Sequence, residues 1–395
     1  MSMTRRKRLS LAASALVVFA AATATSDAPV QFGDPLGGLT AAQLDRFNDG
    51  KEEFLAPEEV DEGLGPVFNG RSCAECHSVP IAGGGSDRLV TRFGTITNGV
   101  FDPLAQFGGS LIQDHAITRA DGSVHNYSPE SVPKAATIVA HRRTPPLFGL
   151  GLVDAVSDQT FFELAAQESR RGDGTAGRVA VITNVATGLQ SVGKFGWKNQ
   201  VPSLFVFSGD AYLNEMGITN PLFPNENCPN GDCKELKFNP RPDLNDIGDG
   251  VEAFNDFMTL LAAPPRAAST PESLAGEAIF GQIGCDACHT STLHTGPSDV
   301  AALDHATFHP YSDFLLHDMG ALGDGISQGA ANGREMRTAP LWGLRMITTF
   351  LHDGRAATLT DAIAAHDGQA RAARERFNAL DAASQGKLLS FLKSL

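Results

Sequence analysis

The chain has 395 residues, a formal charge of −14 and six cysteines. That length suits two domains, and the acidic balance argues against nucleic acid or an anionic membrane as partner. It would suit a basic partner, although net charge speaks to association and not to chemistry.

The first residues read as a secretory signal. Arg5, Arg6, Lys7 and Arg8 precede an apolar run from Leu9 to Ala22, and small residues offer cleavage after Ala22 or Ala24. The run is too short and alanine-rich for a spanning helix. Residues 1–24 are therefore expected to be removed, which leaves a mature charge of −18 in the periplasm or another exported location.

From there a helix is expected over Ala41 to Phe54. The motif Cys73-Ala74-Glu75-Cys76-His77 follows, with Phe68 five residues ahead of it. Val179 to Ile182 reads as a short strand. A short loop at Asn227-Cys228-Pro229-Asn230-Gly231-Asp232-Cys233 carries turn residues, and a disulfide between its cysteines suits an oxidising compartment. Gly250 to Ala262 reads as an amphipathic helix, and Ala262 to Pro271 as a linker. Ser273 to Gln282 is the next helix, ahead of Cys285-Asp286-Ala287-Cys288-His289.

C-x-x-C-H is the attachment signal for c-type haem. Positions i and i+3 face one side of a helical turn, so both sulfurs can reach the vinyl groups of one porphyrin. The following histidine is then directed at the iron. A redox disulfide would be expected near a βαβ pattern, and zinc would need further cysteine or histidine pairs at short spacing. Neither accompanies these two motifs.

The halves echo each other beyond the motifs. Phe280 precedes Cys285 as Phe68 precedes Cys73, and Arg143-Thr144-Pro145-Pro146-Leu147-Phe148-Gly149-Leu150 matches Arg337-Thr338-Ala339-Pro340-Leu341-Trp342-Gly343-Leu344. Phe195-Gly196-Trp197 stands before Leu204 as Phe350-Leu351-His352 stands before Leu359. The first half carries an extra segment, about Val153 to Lys194. The expected fold class is mainly α, with long Gly- and Pro-rich loops and a few short strands.

Taken in order, these motifs resemble the bacterial dihaem cytochrome c peroxidase and MauG superfamily, in its dihaem oxidoreductase (thiol-oxidoreductase-like) branch. Phe195-Gly196-Trp197-Lys198, Asn214 to Pro224, Arg337 to Leu344 and Phe350 to Arg355 carry the likeness, which runs from about Gly38 to the C-terminus. It implies two cytochrome c-like haem domains, residues 35–262 and 272–395. The first would hold the reactive haem on Cys73, Cys76 and His77, and the second an electron-transfer haem on Cys285, Cys288 and His289.

The same resemblance makes Trp197 a bridge between haems, Glu215 the distal acid at the reactive iron, and Arg337 a neighbour of the second haem. It places the second haem's sixth ligand at His366, with Met319 and Met336 as competitors. The corresponding position in the first half is Ala211, which cannot bind iron, so the first haem would be the open one. Tyr212, His115, His125 and His141 are candidates to shape or cap that pocket. The pattern departs from the family at Phe207, where a glutamine is often found. It departs again at Ile347, where a threonine would help hold an interdomain calcium ion; Thr348 and Thr349 are adjacent.

The resemblance implies an enzyme using hydrogen peroxide or a related oxidant, with Glu215 as general base and then acid. A small redox protein of cytochrome or cupredoxin type would be the donor, and a homodimer is compatible. Two alternatives stand beside this: a pure electron-transfer protein, and a MauG-like oxidase of a protein or organic substrate.

Overall fold

The computed structural model describes residues 30–118 and 125–395, so the segment read as a secretory signal lies outside it. Nine α-helices occur among the described residues: α1 (Ala41–Leu55), α2 (Leu150–Asp154), α3 (Asp158–Arg171), α4 (Leu204–Met216), α5 (Asp249–Leu260), α6 (Pro271–Gln282), α7 (Leu359–Ala365), α8 (Arg371–Asn378) and α9 (Ala382–Leu392). Most begin at a residue suited to cap them. The Thr40 hydroxyl accepts from the Gln43 amide while the Gln43 side chain accepts from the Thr40 amide, a reciprocal box that satisfies two free donors of α1. Thr270 and Ser273 repeat the device on α6, with Pro271 at the first helical position. Ser203 and Thr358 cap α4 and α7. None of these helices is long and apolar enough to cross a membrane.

The strands are short. β1 (Val67–Phe68), β2 (Leu89–Thr97), β3 (Val100–Asp102), β4 (His115–Ala116) and β5 (Ile138–Arg143) lie in the first half, with β6 (Val181–Thr183) and β7 (Gln190–Val192) after them. The second half adds β8 (Leu293–His294), β9 (Thr307–Phe308), β10 (Leu316–Asp318) and β11 (Glu335–Arg337). The largest sheet has the order β3-β2-β5, all antiparallel, with Arg92 opposite Ala140. Helix accounts for about 34% and strand for 14% of the structure. The expectation of a mainly α chain is thus corrected to a mixed one. The long loops pair locally into two- and three-residue ladders that satisfy their backbone groups, and such ladders are too short to leave a period in the sequence.

Two helix crossings position the cysteine motifs. α1 packs on α5 and α6 on α9. Each crossing needs a glycine, because a Cβ at Gly50 would sit 2.2 Å from the Ala253 carbonyl oxygen, and one at Gly276 2.0 Å from that of Lys387. Phe54 and Phe257 then pack at 4.8 Å between centroids, and Phe280 and Phe391 at 5.2 Å. Gly276→Ala should lower the melting temperature of the loaded protein, since overpacking costs about 1–3 kcal/mol. That outweighs the roughly 0.5–1 kcal/mol that alanine gains in a helix. A raised melting temperature would show that the crossing has slack.

One apolar core runs through both halves, joining Phe47, Leu204 and Phe257 to Phe308, Phe314 and Trp342. A second surrounds Phe280, Phe377 and Phe391. At the seam the halves exchange backbone bonds reciprocally: Arg143 donates to the His352 carbonyl at 2.7 Å, and Arg337 to the Trp197 carbonyl at 2.9 Å. Asp324 is buried there against Arg142 and Lys198, at 2.8 and 2.9 Å. A buried carboxylate is tolerated only when paired in this way.

Candidate functional site

Both C-x-x-C-H motifs form a single tight turn. His77 N–H donates to the Cys73 carbonyl at 2.9 Å, and His289 N–H to the Cys285 carbonyl at 3.0 Å. The two thiols of each turn are unpaired, whereas Cys228 and Cys233 are joined as the sequence led us to expect, with Cα atoms 4.5 Å apart. Burial raises all four free thiols, Cys76 to about 11 and Cys285 to about 12. They are protonated near neutrality, unlike the thiolate of a redox-active dithiol.

The two histidines share one arrangement. His77 Nδ1–H donates to the Gly84 carbonyl at 3.1 Å, and His289 Nδ1–H to the Tyr311 carbonyl at 2.9 Å. A carbonyl can only accept, so each ring is fixed with its proton on Nδ1 and its lone pair on Nε2, the tautomer a metal requires. Burial lowers both to about 4, so both are neutral at any pH well above that value. Phe54 and Phe280 pack on them, each at 6.2 Å between centroids.

Above the second motif lies an apolar cavity of about 270 Å³ that includes Cys285, Cys288, His289 and His366 in its walls. Trp197, Met319, Met336, Arg337 and His352 line it as well. His366 caps the C-terminus of α7, and its Nδ1–H donates to the Ala362 carbonyl at 2.8 Å, leaving Nε2 free. It shares that wall with His289. The three candidate ligands therefore share one cavity, and His366 is already held in the metal-ready tautomer. α4 continues through Ala211, where α7 stops at His366.

Arg337 is buried beside this cavity, its Nε donating to the Gly196 carbonyl at 2.8 Å and its guanidinium stacked over Phe314. Burial brings it down to about 10. Trp197 Nε1–H donates to the Arg143 carbonyl at 3.0 Å, and its ring meets His352 edge-on at 6.2 Å. Arg143, in the same wall, keeps a buried Nε without a partner. An unpaired guanidinium donor is the kind of group that a haem propionate satisfies. These residues fit a porphyrin.

At the first motif, Glu215 near the end of α4 approaches Cys76, whose titration its charge perturbs. Asn69 pins it twice: the side-chain amide donates to Oε2 at 2.7 Å, and the backbone N–H to the Glu215 carbonyl at 2.7 Å. Burial raises the Glu215 pKa, the Asn69 bond and the charges of Arg92 and Arg88 oppose this, and Asp114 adds to it. Of the three candidate capping histidines, His115 shares this bond system through Asp114 and stacks on Phe68. His125 is bound to Glu235, and His141 to Thr91. Tyr212 donates to Glu58 at 2.5 Å. Phe207 lines the cavity above the second motif. Asp87 accepts from Thr349 and Thr348, a set of oxygen donors of the sort calcium takes.

Sequence reasoning missed Asn69 and a buried cluster beside Cys288. His317 faces the Cys288 sulfur at 3.6 Å and the Asp313 carboxylate at 3.0 Å. Burial alone would lower His317, but Asp313 outweighs it and holds the ring well above 6.5. Burial and Asp313 push nearby Glu168 up to about 7. Ligand atoms of Cys288, Asp313 and His317 lie within 4.8 Å of one another, close enough for a metal ion. The same sulfur belongs to the second C-x-x-C-H turn, however.

Paired thiols, metal-ready imidazoles and an apolar cavity are what a haem-carrying redox protein requires. Residues 131–395 match the family described as "Di-haem oxidoreductase, putative peroxidase", and the chain belongs to it. The family implies haem cofactors. No curated relative matches the chain. Among solved structures, a hydrazine synthase of Kuenenia stuttgartiensis is similar at 15% identity and TM-score 0.38, covering 97% of this chain and 100% of its own. A MauG-like protein associated with microbial copper homeostasis aligns at 15% identity and TM-score 0.38, over 94% of each chain. The diheme peroxidase BthA of Burkholderia thailandensis E264 aligns at 16% identity and TM-score 0.38, over 89% of this chain and 86% of its own. Likenesses at these scores do not decide function.

Proposed function

We propose that the chain is an exported dihaem c-type oxidoreductase that reduces hydrogen peroxide or a related oxidant at its N-terminal motif. The observation that carries this reading is an asymmetry. His289 shares its cavity with His366, held in the metal-ready tautomer, whereas the His77 motif is approached by the Glu215 carboxyl. An iron with two strong ligands passes electrons, and one with a free position binds an oxidant.

Cys73 and Cys76, and likewise Cys285 and Cys288, would hold the porphyrins in thioether linkage. His77 and His289 would bind the irons from one side, and His366 the second iron from the other. Bound haem supplies the site where the oxidant docks and the electrons travel. Glu215, held by Asn69, would take a proton from one peroxide oxygen and return it to the other. Trp197, between the halves, would lie on the electron path from a small cytochrome or cupredoxin donor. The reciprocal bonds at Arg143 and Arg337, and the paired glycine crossings, support two cytochrome c-like domains, residues 35–262 and 272–395.

The test uses protein from a host competent in cytochrome maturation. Mass and a pyridine haemochrome spectrum should report two porphyrins, and peroxide should oxidise a chemically reduced sample through both haems. One porphyrin would refute the dihaem assignment. Two porphyrins inert to peroxide would leave an electron carrier.

A further inference from the structure

Glu215 can take and return a proton only if its carboxyl is aimed, and its aim depends on how the Asn69 amide is turned. Asn69 is buried. Its Oδ1 accepts from the Asp114 backbone N–H at 3.0 Å, while its Nδ2 donates to Glu215 Oε2 at 2.7 Å. A backbone N–H can only donate, so Asp114 claims the carbonyl end of Asn69 and leaves the NH2 end for Glu215. The Asp114 amide is therefore a lock on the orientation that favours a charged Glu215.

The lock is held in turn from outside. Gln113, also buried, donates from its side-chain amide to the Asn214 carbonyl at 3.0 Å, one residue before Glu215 on α4. Both backbone groups of Gln113 are bound by Glu130. The Gln113 N–H donates to Glu130 Oε2 at 2.9 Å, and the Gln113 carbonyl accepts from the Glu130 N–H at 2.9 Å. The other oxygen, Oε1, accepts from the Asn230 N–H at 2.8 Å, inside the Cys228–Cys233 loop. That loop fits closely on its neighbours, since a Cβ at Gly231 would lie 2.3 Å from the Gln106 carbonyl oxygen. Glu130 is buried as well, so each of its oxygens needs the donor it has.

We propose that Glu130 is a positioning residue for Glu215. It clamps the disulfide loop to the Gln113–Asp114 segment, and that segment fixes Asn69 in the one orientation that donates to the acid. This rests on the role proposed above for Glu215. Without the clamp, Asn69 is free to turn and accept from a protonated Glu215, which favours the neutral form. The other charged groups facing Glu215 are Arg88, Arg92, Asp114 and Asp210, with the Cys76 sulfur, a thioether once haem is attached. Of these only Asp114 belongs to the clamped segment, and loss of its negative charge would act in the opposite direction.

Glu130→Gln tests the proposal in the dihaem protein, because it keeps the shape but sets an NH2 against one of the two backbone N–H groups. Peroxide kcat should fall by roughly 10–100-fold with KM little changed, as misplacement remote from the chemistry does. The acid limb of turnover should move up, and the Asp114 amide should lose its protection against hydrogen exchange. Asp114 is exposed, so protection there reports the Asn69 bond and not burial. Since Glu130 acts through Asn69, Glu130→Gln with Asn69→Ala should be no slower than Asn69→Ala alone. Losses that multiply in the double variant, or a wild-type kcat and pH profile in Glu130→Gln, overturn the inference and leave Glu215 its role. If Glu130→Gln fails to load both haems, exchange in the wild type decides. An Asp114 amide protected like those of α4 supports the lock, and one that exchanges as an unbonded amide overturns it. If Glu215→Gln turns over peroxide normally, the reading of Glu215 falls and takes the inference with it.

Discussion

Glu215→Gln should lower peroxide turnover by on the order of 10²–10⁴-fold, the usual contribution of a positioned acid–base group, while both haems remain attached. The substitution conserves shape, and the Asn69 amide can still donate to the remaining carbonyl oxygen, so the fold should stand. What is lost is the ability to take a proton and give it back. The pH dependence has a definite sign. Burial raises the Glu215 pKa, so its proton is retained to higher pH than in an exposed glutamate, and the base form that takes the first proton is lost as pH falls through that folded value. Wild-type turnover should therefore fall on the acid side of this ionisation, and the variant should be slow and flat there. Turnover within a factor of two of wild type would remove Glu215 from the chemistry. Asn69→Ala should move the acid limb upward, because the amide donor that favours the charged form is gone. A change in rate without a change in profile would mean that Asn69 only supports the fold.

Much of this arrangement was legible because its signals are local. The helix expected over Ala41 to Phe54 is one continuous segment, and α1 spans Ala41–Leu55. The two C-x-x-C-H turns are five-residue patterns, and the Cys228–Cys233 loop is shorter than two helical turns. What escaped was held by distant pairs. Asn69 and Glu215 are 146 positions apart, and no composition or period links them. The His317–Asp313 pair sits four residues apart, at helical spacing, in a segment with no helical pattern. A histidine and an aspartate in an irregular stretch look like surface residues until burial shows that each needs the other. The glycines at the two crossings were equally silent, because Gly50 and Gly276 have meaning only once a second helix is laid against them.

His366→Ala should change the second haem from six-coordinate and low-spin to a form with an open position, visible in optical and EPR spectra, and should raise its reduction potential. His366 has the attributes of a ligand. Its ring is half-buried in the cavity wall, its Nδ1–H is committed to the Ala362 carbonyl, and desolvation lowers its pKa so that Nε2 is unprotonated at neutral pH. Met319 and Met336 line the same cavity, and a thioether replacing the imidazole would still give a low-spin iron at higher potential. Spin state alone is therefore a weaker witness than potential. The triple variant, with both methionines changed to leucine, separates the cases. If His366 is the ligand, Met319→Leu and Met336→Leu leave the wild-type spectrum and potential in place, and only variants lacking His366 shift. If His366→Ala keeps both the low-spin spectrum and the wild-type potential, the imidazole does not bind the iron. The asymmetry between the two haem sites would then have to come from the Glu215 side alone. The effect should also reach the first haem. A second haem with an open position and a higher potential holds its electron more tightly, so peroxide-driven oxidation across Trp197 should slow even though no group near Glu215 has changed.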